Sequence, residues 1–272
     1  MQAPVRSSPA NAVLLREPMG PVAVLTLNRP QARNSLSDEL LAALTSELAA
    51  IADDRAVRAV VLAANGPAFC AGHDMRELLE RRSDPDGGKA YFEAQMERCC
   101  AVMLAIVRLP QPVIAAVQGA ATAAGCQLVA TCDLAIASSA AGFCTPGVNI
   151  GLFCSTPMVA LSRDVARKPA MEMLLTGDMM SADEAKRIGL VNRVVAPGRE
   201  REEAIALAKQ IASKSAATVR LGKKAFYAQA EMNLADAYRY TARVMAENML
   251  LHDAAEGIGA FLDKRDPVWE DR

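Results

Sequence analysis

Apolar positions along this chain follow two rhythms, and the change between them falls near residue 197. Val22-Ala23-Val24-Leu25-Thr26-Leu27 reads as a buried strand, which Asn28-Arg29-Pro30 ends. Ser37 then stands where a helix cap is needed. Asp38 and Glu39 occupy the first turn, where carboxylates meet the positive end of the helix dipole. Leu40, Leu41, Leu44, Leu48 and Ile51 follow at helical spacing. Val57 to Ala63 returns as a strand, and a loop with Gly66, Pro67 and Gly72 comes after it. Residues 91–107 place Phe92, Met96, Cys99, Met103 and Ile106 on one side of a second helix. Val113 to Val117 and Leu134 to Ala137 are further strands. Between them lie a small-residue turn from Gly119 to Gly125 and a short helix from Cys126 to Thr131. Strand and helix in alternation predict an α/β core with parallel strands.

Beyond residue 197 only the helical period survives, over 200–213, 217–230 and 233–250. Alanine is abundant there, and glycine and proline are scarce inside the elements. The expected organisation is a disordered tail over 1–11, an α/β core over 12–197 and a helical C-terminal region over 198–272. Ile205, Leu207, Ala208 and Ile211 give the first of these helices more apolar face than one small subdomain needs. That excess points to assembly of several subunits.

Composition narrows the function. At 52% hydrophobic over 272 residues, the chain can bury a sizeable core. A net charge of -1 argues against nonspecific nucleic-acid binding, which needs a positive surplus. Aromatic residues make up 4%, too few for base-stacking platforms. No membrane span is expected, because Arg108 and two prolines interrupt the apolar runs 101–107 and 113–117. The first ten residues carry one Arg and two Pro and match neither a secretory signal nor a transit peptide. The 7 Cys form no CxxC pair, and His73 and His252 are the two histidines, so zinc-ligand spacing is absent. Buried, reduced thiols in a cytoplasmic protein are expected, with the mitochondrion a second compartment that fits. No metal and no cofactor is implied.

There is no GxGxxG after a strand, no P-loop lysine motif, no HExxH and no GxSxG elbow. What remains is a pair of glycine-containing segments, Phe69-Cys70-Ala71-Gly72-His73-Asp74-Met75 and Gly119-Ala120-Ala121-Thr122-Ala123-Ala124-Gly125-Cys126-Gln127. Each follows a strand, and the second opens a helix. Small residues let backbone N–H groups approach a ligand, and a helix start aims its free donors outward. Two such donors from separate segments can hold a developing oxyanion. On spacing alone, plain structural turns account for the same pattern.

Asn28-Arg29-Pro30 with Asn34-Ser35-Leu36 resembles the first-strand exit of the crotonase (enoyl-CoA hydratase/isomerase) family. Phe69-Cys70-Ala71-Gly72-His73-Asp74 resembles that family's first oxyanion loop. Leu174-Leu175-Thr176-Gly177-Asp178, Ser181-Ala182-Asp183-Glu184-Ala185 and Gly189-Leu190-Val191 are similar to its signature after the active site. The likeness runs in one order over residues 12–267. It implies a crotonase-type spiral of ββα turns with a C-terminal helical trimerisation region, and an acyl-CoA substrate or ligand. It also implies a homotrimer or homohexamer. The implied oxyanion hole is the backbone N–H groups of His73 and Ala124. Contacts to CoA would come from Arg29, Arg33, Ala71, Asp74, Lys223, Lys224 and Phe226, with the basic members facing phosphates. A solvated charged face is the alternative for each base.

Two departures stand out. Hydratases of the family carry one Glu two residues after the second-loop glycine and another after a later proline. Here those positions are Gln127 and Gly147. Water addition needs one group to deprotonate water and one to protonate the α-carbon, and neither residue does either. Each lost acid/base typically costs roughly 10²–10⁴ in rate. The stretches Ala124-Gly125-Cys126-Gln127-Leu128, Thr145-Pro146-Gly147-Val148-Asn149 and Gly151-Leu152-Phe153-Cys154-Ser155-Thr156-Pro157 resemble a subgroup typified by the enoyl-CoA hydratase domain-containing proteins. Hydratase is thus the family label. Isomerase, hydrolase or decarboxylase action, or acyl-CoA binding without turnover, are the alternatives. Asp74 reads equally as a cap carboxylate, and His73 offers an imidazole that titrates. Cys126, Cys144, Cys154 and Ser155 are candidate nucleophiles for which the sequence positions no base.

Overall fold

A computed structural model describes residues 12–272; the tail expected over 1–11 lies outside the described residues. The chain begins with β1 (Leu14–Met19) and β2 (Val22–Leu27), followed by α1 (Asp38–Asp53), β3 (Ala59–Ala64) and β4 (Ala68–Cys70). Helices α2 (Met75–Glu80) and α3 (Lys89–Arg108) lead to β5 (Val113–Val117), β6 (Ala120–Thr122) and α4 (Ala124–Thr131). Next come β7 (Leu134–Ser138), β8 (Gly142–Cys144), α5 (Pro157–Asp164), α6 (Arg167–Thr176), β9 (Met180–Ser181), α7 (Ala182–Arg187) and β10 (Arg193–Val195). Four helices complete the chain: α8 (Glu200–Ala212), α9 (Ala216–Ala230), α10 (Leu234–Met249) and α11 (His252–Asp263).

The strands form two sheets, one ordered β1-β2-β3-β5-β7-β10 and one ordered β4-β6-β8-β9. Strand pairs β3/β4, β5/β6 and β7/β8 each give one strand to each sheet, and helices carry the chain to the next pair. This is a spiral of ββα turns, the architecture the resemblance implies. Pairing is parallel from β2 through β10 in the large sheet. The two antiparallel pairs are β1 with β2 and β8 with β9. The first is a hairpin through Gly20, whose φ of +70 suits the tight turn.

The large sheet is buried on both faces, which is why its strands read as continuous apolar runs. Leu25, Leu27, Val60, Leu62 and Val113 face α1, α3 and α4 in the main core. Their alternates Val24, Val61, Ile114 and Ile136 face Ala204, Ile205 and Ala208 of α8. This corrects one expectation. The apolar face of α8, with Leu207 and Ile211 also packed there, covers the back of the sheet and is not left over for assembly. Exposed apolar side chains lie instead on the last helices, among them Phe226, Leu234, Tyr238, Leu250 and Phe261.

Helix α1 forms as its pattern predicts: the Ser37 hydroxyl accepts from the Leu40 N–H, and all five apolar residues on its stripe are buried. Strand β3 starts two residues later than expected, and α4 starts two residues earlier, at Ala124. The turn from Gly119 to Gly125 contains β6, too short and too small in its side chains to show a period.

Candidate active site

Strands β4 and β6 lie side by side and parallel, with Ala68 opposite Ala120 and Cys70 opposite Ala121. The segments that follow them, 71–74 and 123–127, therefore emerge together. Glycine makes their approach possible. A Cβ at Gly125 would sit 2.0 Å from the Cys70 carbonyl oxygen, and one at Gly119 would sit 2.2 Å from that of Pro67. Gly72, at φ +91, would place a Cβ 2.9 Å from the Ala123 Cβ and 3.3 Å from the Ala124 nitrogen. The two loops are thus in backbone contact.

Their hydrogen bonds leave two donors over. The Leu36 N–H donates to the Gly72 carbonyl at 2.8 Å, and the Asp74 N–H to the Leu36 carbonyl at 3.2 Å. That bridge skips the N–H of His73. In the second loop, the Ala123 N–H donates to the Cys144 carbonyl at 2.9 Å, and the first helical bond runs from the Gln127 N–H to the Ala123 carbonyl. The Ala124 N–H is then one of the free donors of a helix start. Among the described residues neither the His73 nor the Ala124 N–H has an acceptor. Ala123 holds φ 50 and ψ -119, a conformation non-glycine residues rarely adopt and one that costs about 1–3 kcal/mol. The surrounding fold imposes it, and in doing so fixes where α4 begins.

The ionisable groups nearby are neutral or engaged. Asp74 caps α2 by accepting from the Arg76 N–H, and it also accepts from Arg29 at 3.1 Å and Ser35 at 3.1 Å. Burial alone would raise its carboxyl, but the bonds from Arg29, Ser35 and Arg76 and the Arg29 charge hold it below the usual range. It stays ionised and is a cap. Arg29 is spent on Asp74 and on the Ser35 carbonyl, at 2.6 Å. Burial pushes the His73 imidazole down, so it is neutral at pH 7, and its Nε2 has no partner among the described residues. The Ala71 N–H donates to the Arg33 carbonyl at 3.0 Å, while the Arg33 side chain is exposed.

Gln127 is 3% exposed, and its Oε1 has no partner among the described residues. Gly147 is buried, and a Cβ there would meet the Leu152 carbonyl oxygen at 2.9 Å and the Cys154 sulfur at 3.0 Å. The chain has closed into the space a side chain would need. Burial raises the thiols of Cys126, Cys144 and Cys154, that of Cys144 to about 11. A hydrogen bond from the Gly147 backbone only partly offsets this for Cys154. None of the three is a thiolate nucleophile at neutral pH.

A cavity of about 1040 Å³ opens along α4 from Gln127 onward, walled by α3, α4, α5, α9 and α10, and no residue of the first loop lines it. Gln127, Lys223 and Lys224 are on its wall; His73, Ala124, Gly147 and Phe226 are not. Gln127 is the link, because it stands one helical turn beyond Ala124 on α4. Lys223 is no free phosphate ligand. Its Nζ donates to Asp133 at 2.6 Å and to the carbonyls of Ile106 at 3.0 Å and Gln111 at 3.1 Å. Asp133 also accepts from Tyr227 at 2.9 Å and from the Val113 N–H at 2.7 Å, so this cluster fastens α9 to the core. Phe226 is 63% exposed and meets Tyr227 edge to face.

Sequence reasoning passed over Asp133 and Asp164. Asp164 is on the cavity wall and makes no ion pair or hydrogen bond among the described residues. Its surface is open to the cavity, yet burial raises its carboxyl to about 6. One signal was legible: the residue ends α5, where the helix dipole disfavours a carboxylate.

Two sheets joined in a spiral of ββα turns define an α/β fold of the crotonase type, and the chain belongs to the enoyl-CoA hydratase/isomerase family, whose model matches residues 17–272. Within it, the chain is 47% identical over 245 residues to human "Enoyl-CoA hydratase domain-containing protein 3, mitochondrial", covering 90% of this chain and 79% of the relative. It is 39% identical to a "Probable enoyl-CoA hydratase" of Rhizobium meliloti, covering 95% and 98%. Among solved structures, an enoyl-CoA hydratase of Mycobacterium smegmatis superposes with TM-score 0.90 at 54% identity, over 94% of this chain and 98% of that one. The human domain-containing protein 3 superposes with TM-score 0.90 at 45% identity, over 94% and 100%.

Proposed function

We propose that the chain binds an acyl-CoA thioester with its carbonyl oxygen between the backbone N–H groups of His73 and Ala124. The observation that carries this reading is the pair of unsatisfied donors, brought together by loops that touch at Gly72 and Ala124. A polarised thioester gains acidity at its α-carbon, and enolate character there is common to hydration, isomerisation and decarboxylation. Each donor is worth about 10²–10³ in rate where such an oxyanion develops.

Ordinary hydration is not the reaction we assign. Gln127 has no usable acid/base pKa, Gly147 has no side chain, and Asp74 is held as a cap. We expect slow hydration of crotonyl-CoA at most. Isomerase, hydrolase and decarboxylase chemistry stay within reach of the same donors. The second reading is acyl-CoA binding without turnover, and the absence of a free carboxylate beside the paired donors, among the described residues, favours it.

With Arg29 and Lys223 neutralised inside the fold, CoA phosphates fall to the exposed Arg33 and Lys224. Ala71 contributes through its backbone carbonyl, Asp74 by holding Arg29 and the start of α2 in place, and Phe226 through its open ring. The assembly we propose is a trimer or a pair of trimers, joined through the exposed apolar side chains of α9 to α11. No metal or cofactor enters. A cytoplasmic or a mitochondrial location fits seven free thiols; the human relative is named as mitochondrial.

Calorimetry with an acyl-CoA and its free acid tests the reading. The thioester should bind far more tightly, since the nucleotide adds charge-assisted phosphate contacts. Equal affinity would overturn it. Turnover assays with enoyl-, hydroxyacyl- and malonyl-type thioesters then separate enzyme from binding protein.

A further inference from the structure

We propose that a second cavity, at the entry edge of the large sheet, binds a phosphate group that carries an O–H donor, either as inorganic phosphate or as the phosphomonoester of a small polyol. The cavity shares no residue with segments 71–74 and 123–127, so its occupancy does not depend on the acyl-CoA reading.

Its volume is about 340 Å³, enough for a small metabolite. Arg55 and Arg58 reach it from the approach to β3, Gln111 from the approach to β5, and Arg220 from α9. The paired loops, by contrast, follow the ends of β4 and β6. Residues 270–272 close the cavity. That segment is tied down. The N–H groups of Glu270 and Asp271 donate to the Asp253 carboxylate at 2.8 and 3.0 Å, and the Arg272 carbonyl accepts from the Asp253 N–H at 3.1 Å.

The two carboxylates on the wall are engaged. Asp271 pairs with Arg58 at 2.7 Å and also accepts from the Ala216 N–H at 2.8 Å, and Glu270 pairs with Arg272 at 2.7 Å. Arg55 and Arg220 have no carboxylate partner among the described residues; Arg220 spends only its Nε, on the Ala216 carbonyl at 3.1 Å. The start of α9 adds the positive end of its dipole. Two guanidinium groups thus stand free for an anion.

Gln111 narrows the choice of anion. It is 5% exposed, and its Nε2 donates to the carbonyls of Ile51 at 2.8 Å, Val57 at 3.3 Å and Asp54 at 3.4 Å. Those bonds fix the amide and leave Oε1 without a partner. The Arg58 Nε is also buried and unpartnered. One wall therefore carries an unmet donor and an unmet acceptor, and each is a cost that a ligand can relieve. A carboxylate or a sulfate meets donors only. A phosphate group accepts from the arginines in the fork geometry they favour, while an O–H donates to Gln111. Inorganic phosphate keeps such a proton at neutral pH. A phosphomonoester, with a second pKa of about 6, needs a hydroxyl on its ester group instead.

Trp269 is the one tryptophan of the sequence; its Nε1 donates to the Ser213 carbonyl at 3.0 Å, next to the closing segment, so its fluorescence reports on the cavity. The full chain is titrated at constant ionic strength with inorganic phosphate, glycerol 3-phosphate, sulfate and acetate, by fluorescence and by calorimetry. The first two should bind saturably, and sulfate and acetate about tenfold more weakly or not at all. Tighter binding of glycerol 3-phosphate assigns the site to an ester, and tighter binding of phosphate to the free anion. Arg55→Gln and Arg220→Gln break no ion pair, and each should weaken phosphate binding about tenfold, the loss expected of a charge-assisted hydrogen bond. Arg187→Gln, exposed on α7, should leave it unchanged. Arg58→Gln would release Asp271 and loosen the closing segment, so Arg55 and Arg220 carry the test. An equal response to all four anions, sulfate binding as tightly as phosphate, or an affinity that survives both Arg55→Gln and Arg220→Gln overturns the inference.

Discussion

A Cβ on Gly72 would lie 3.3 Å from the backbone nitrogen of Ala124, so the first loop reaches the start of α4 only because residue 72 has no side chain. Gly72→Ala therefore faces two costs at once. Its φ of +91 disfavours an L side chain, and the new methyl would overlap Ala123 at 2.9 Å. We expect a loss of about 2–4 kcal/mol in urea denaturation. Acyl-CoA affinity should fall at least as steeply, because the His73 donor moves away from its partner. Unchanged affinity in this variant would mean that the two loops do not share a ligand.

Lys223 tests whether a buried cation holds the fold or the ligand. Lys223→Met leaves Asp133 buried without its counter-charge, and breaking such a pair costs about 3–5 kcal/mol. Asp133→Asn in that background should recover part of the loss, since the neutral amide keeps one oxygen to accept from the Val113 N–H and turns its nitrogen to donate to the Tyr227 hydroxyl oxygen. Denaturation of the two single variants and the double variant measures the coupling. A Lys223→Met protein of native stability but weak CoA binding would return Lys223 to the phosphate role that its sequence context suggests.

Much of this fold was open to inspection in the sequence, and the exceptions have physical causes. The α1 stripe and the runs of β2 and β5 are long enough for their period or continuity to register. The second sheet is built from three-residue strands such as Ala68–Cys70 and Gly142–Cys144, which no window of pattern resolves. Gln127 and Gly147 were found because they interrupt a familiar order of residues. Lys223 and Asp164 were misjudged or missed because the burial of a charge depends on what another helix brings to it. The excess apolar face of α8 was misassigned for the same reason: the buried strand residues it covers, Val22 to Ile136, precede Ala204–Ala208 by 68 to 186 residues.

Asp164 makes a prediction about pH. Its carboxyl titrates at about 6 in the fold and at 3.8 in an ordinary setting. The folded state thus takes up the proton first, and ionisation destabilises the fold progressively as pH rises from about 4 to 6. Asp164→Asn removes that penalty. Water in the cavity screens part of it. We expect the melting temperature to rise at pH 7.5 by about 2–4 °C, the equivalent of ~1 kcal/mol, and the gain to vanish by pH 4. A gain independent of pH would place its origin in packing, not charge.

The missing glutamates give the sharpest prediction. Gln127→Glu is nearly isosteric and adds a carboxyl at a position 3% exposed, where burial will raise its pKa toward the range useful for proton transfer. Gly147→Glu is harder, although not for reasons of backbone angle. Gly147 is not among the residues at positive φ. The obstacle is space: the Leu152 carbonyl at 2.9 Å and the Cys154 sulfur at 3.0 Å must give way. Cys154→Ala removes the second obstacle and leaves the first, which is backbone. The order expected for crotonyl-CoA hydration, followed by loss of enoyl absorbance, is native lowest, then Gln127→Glu. Next comes the double variant, and highest the triple variant with Cys154→Ala. Each active variant should show a pH profile that the native protein lacks. Fast hydration by the native protein would sink this account and would mean that His73, Asp74 or an ordered water performs the proton transfers. A folded triple variant that binds CoA thioesters but gains nothing would show that closure of the Leu152–Cys154 segment has reshaped the pocket for another reaction or for binding alone.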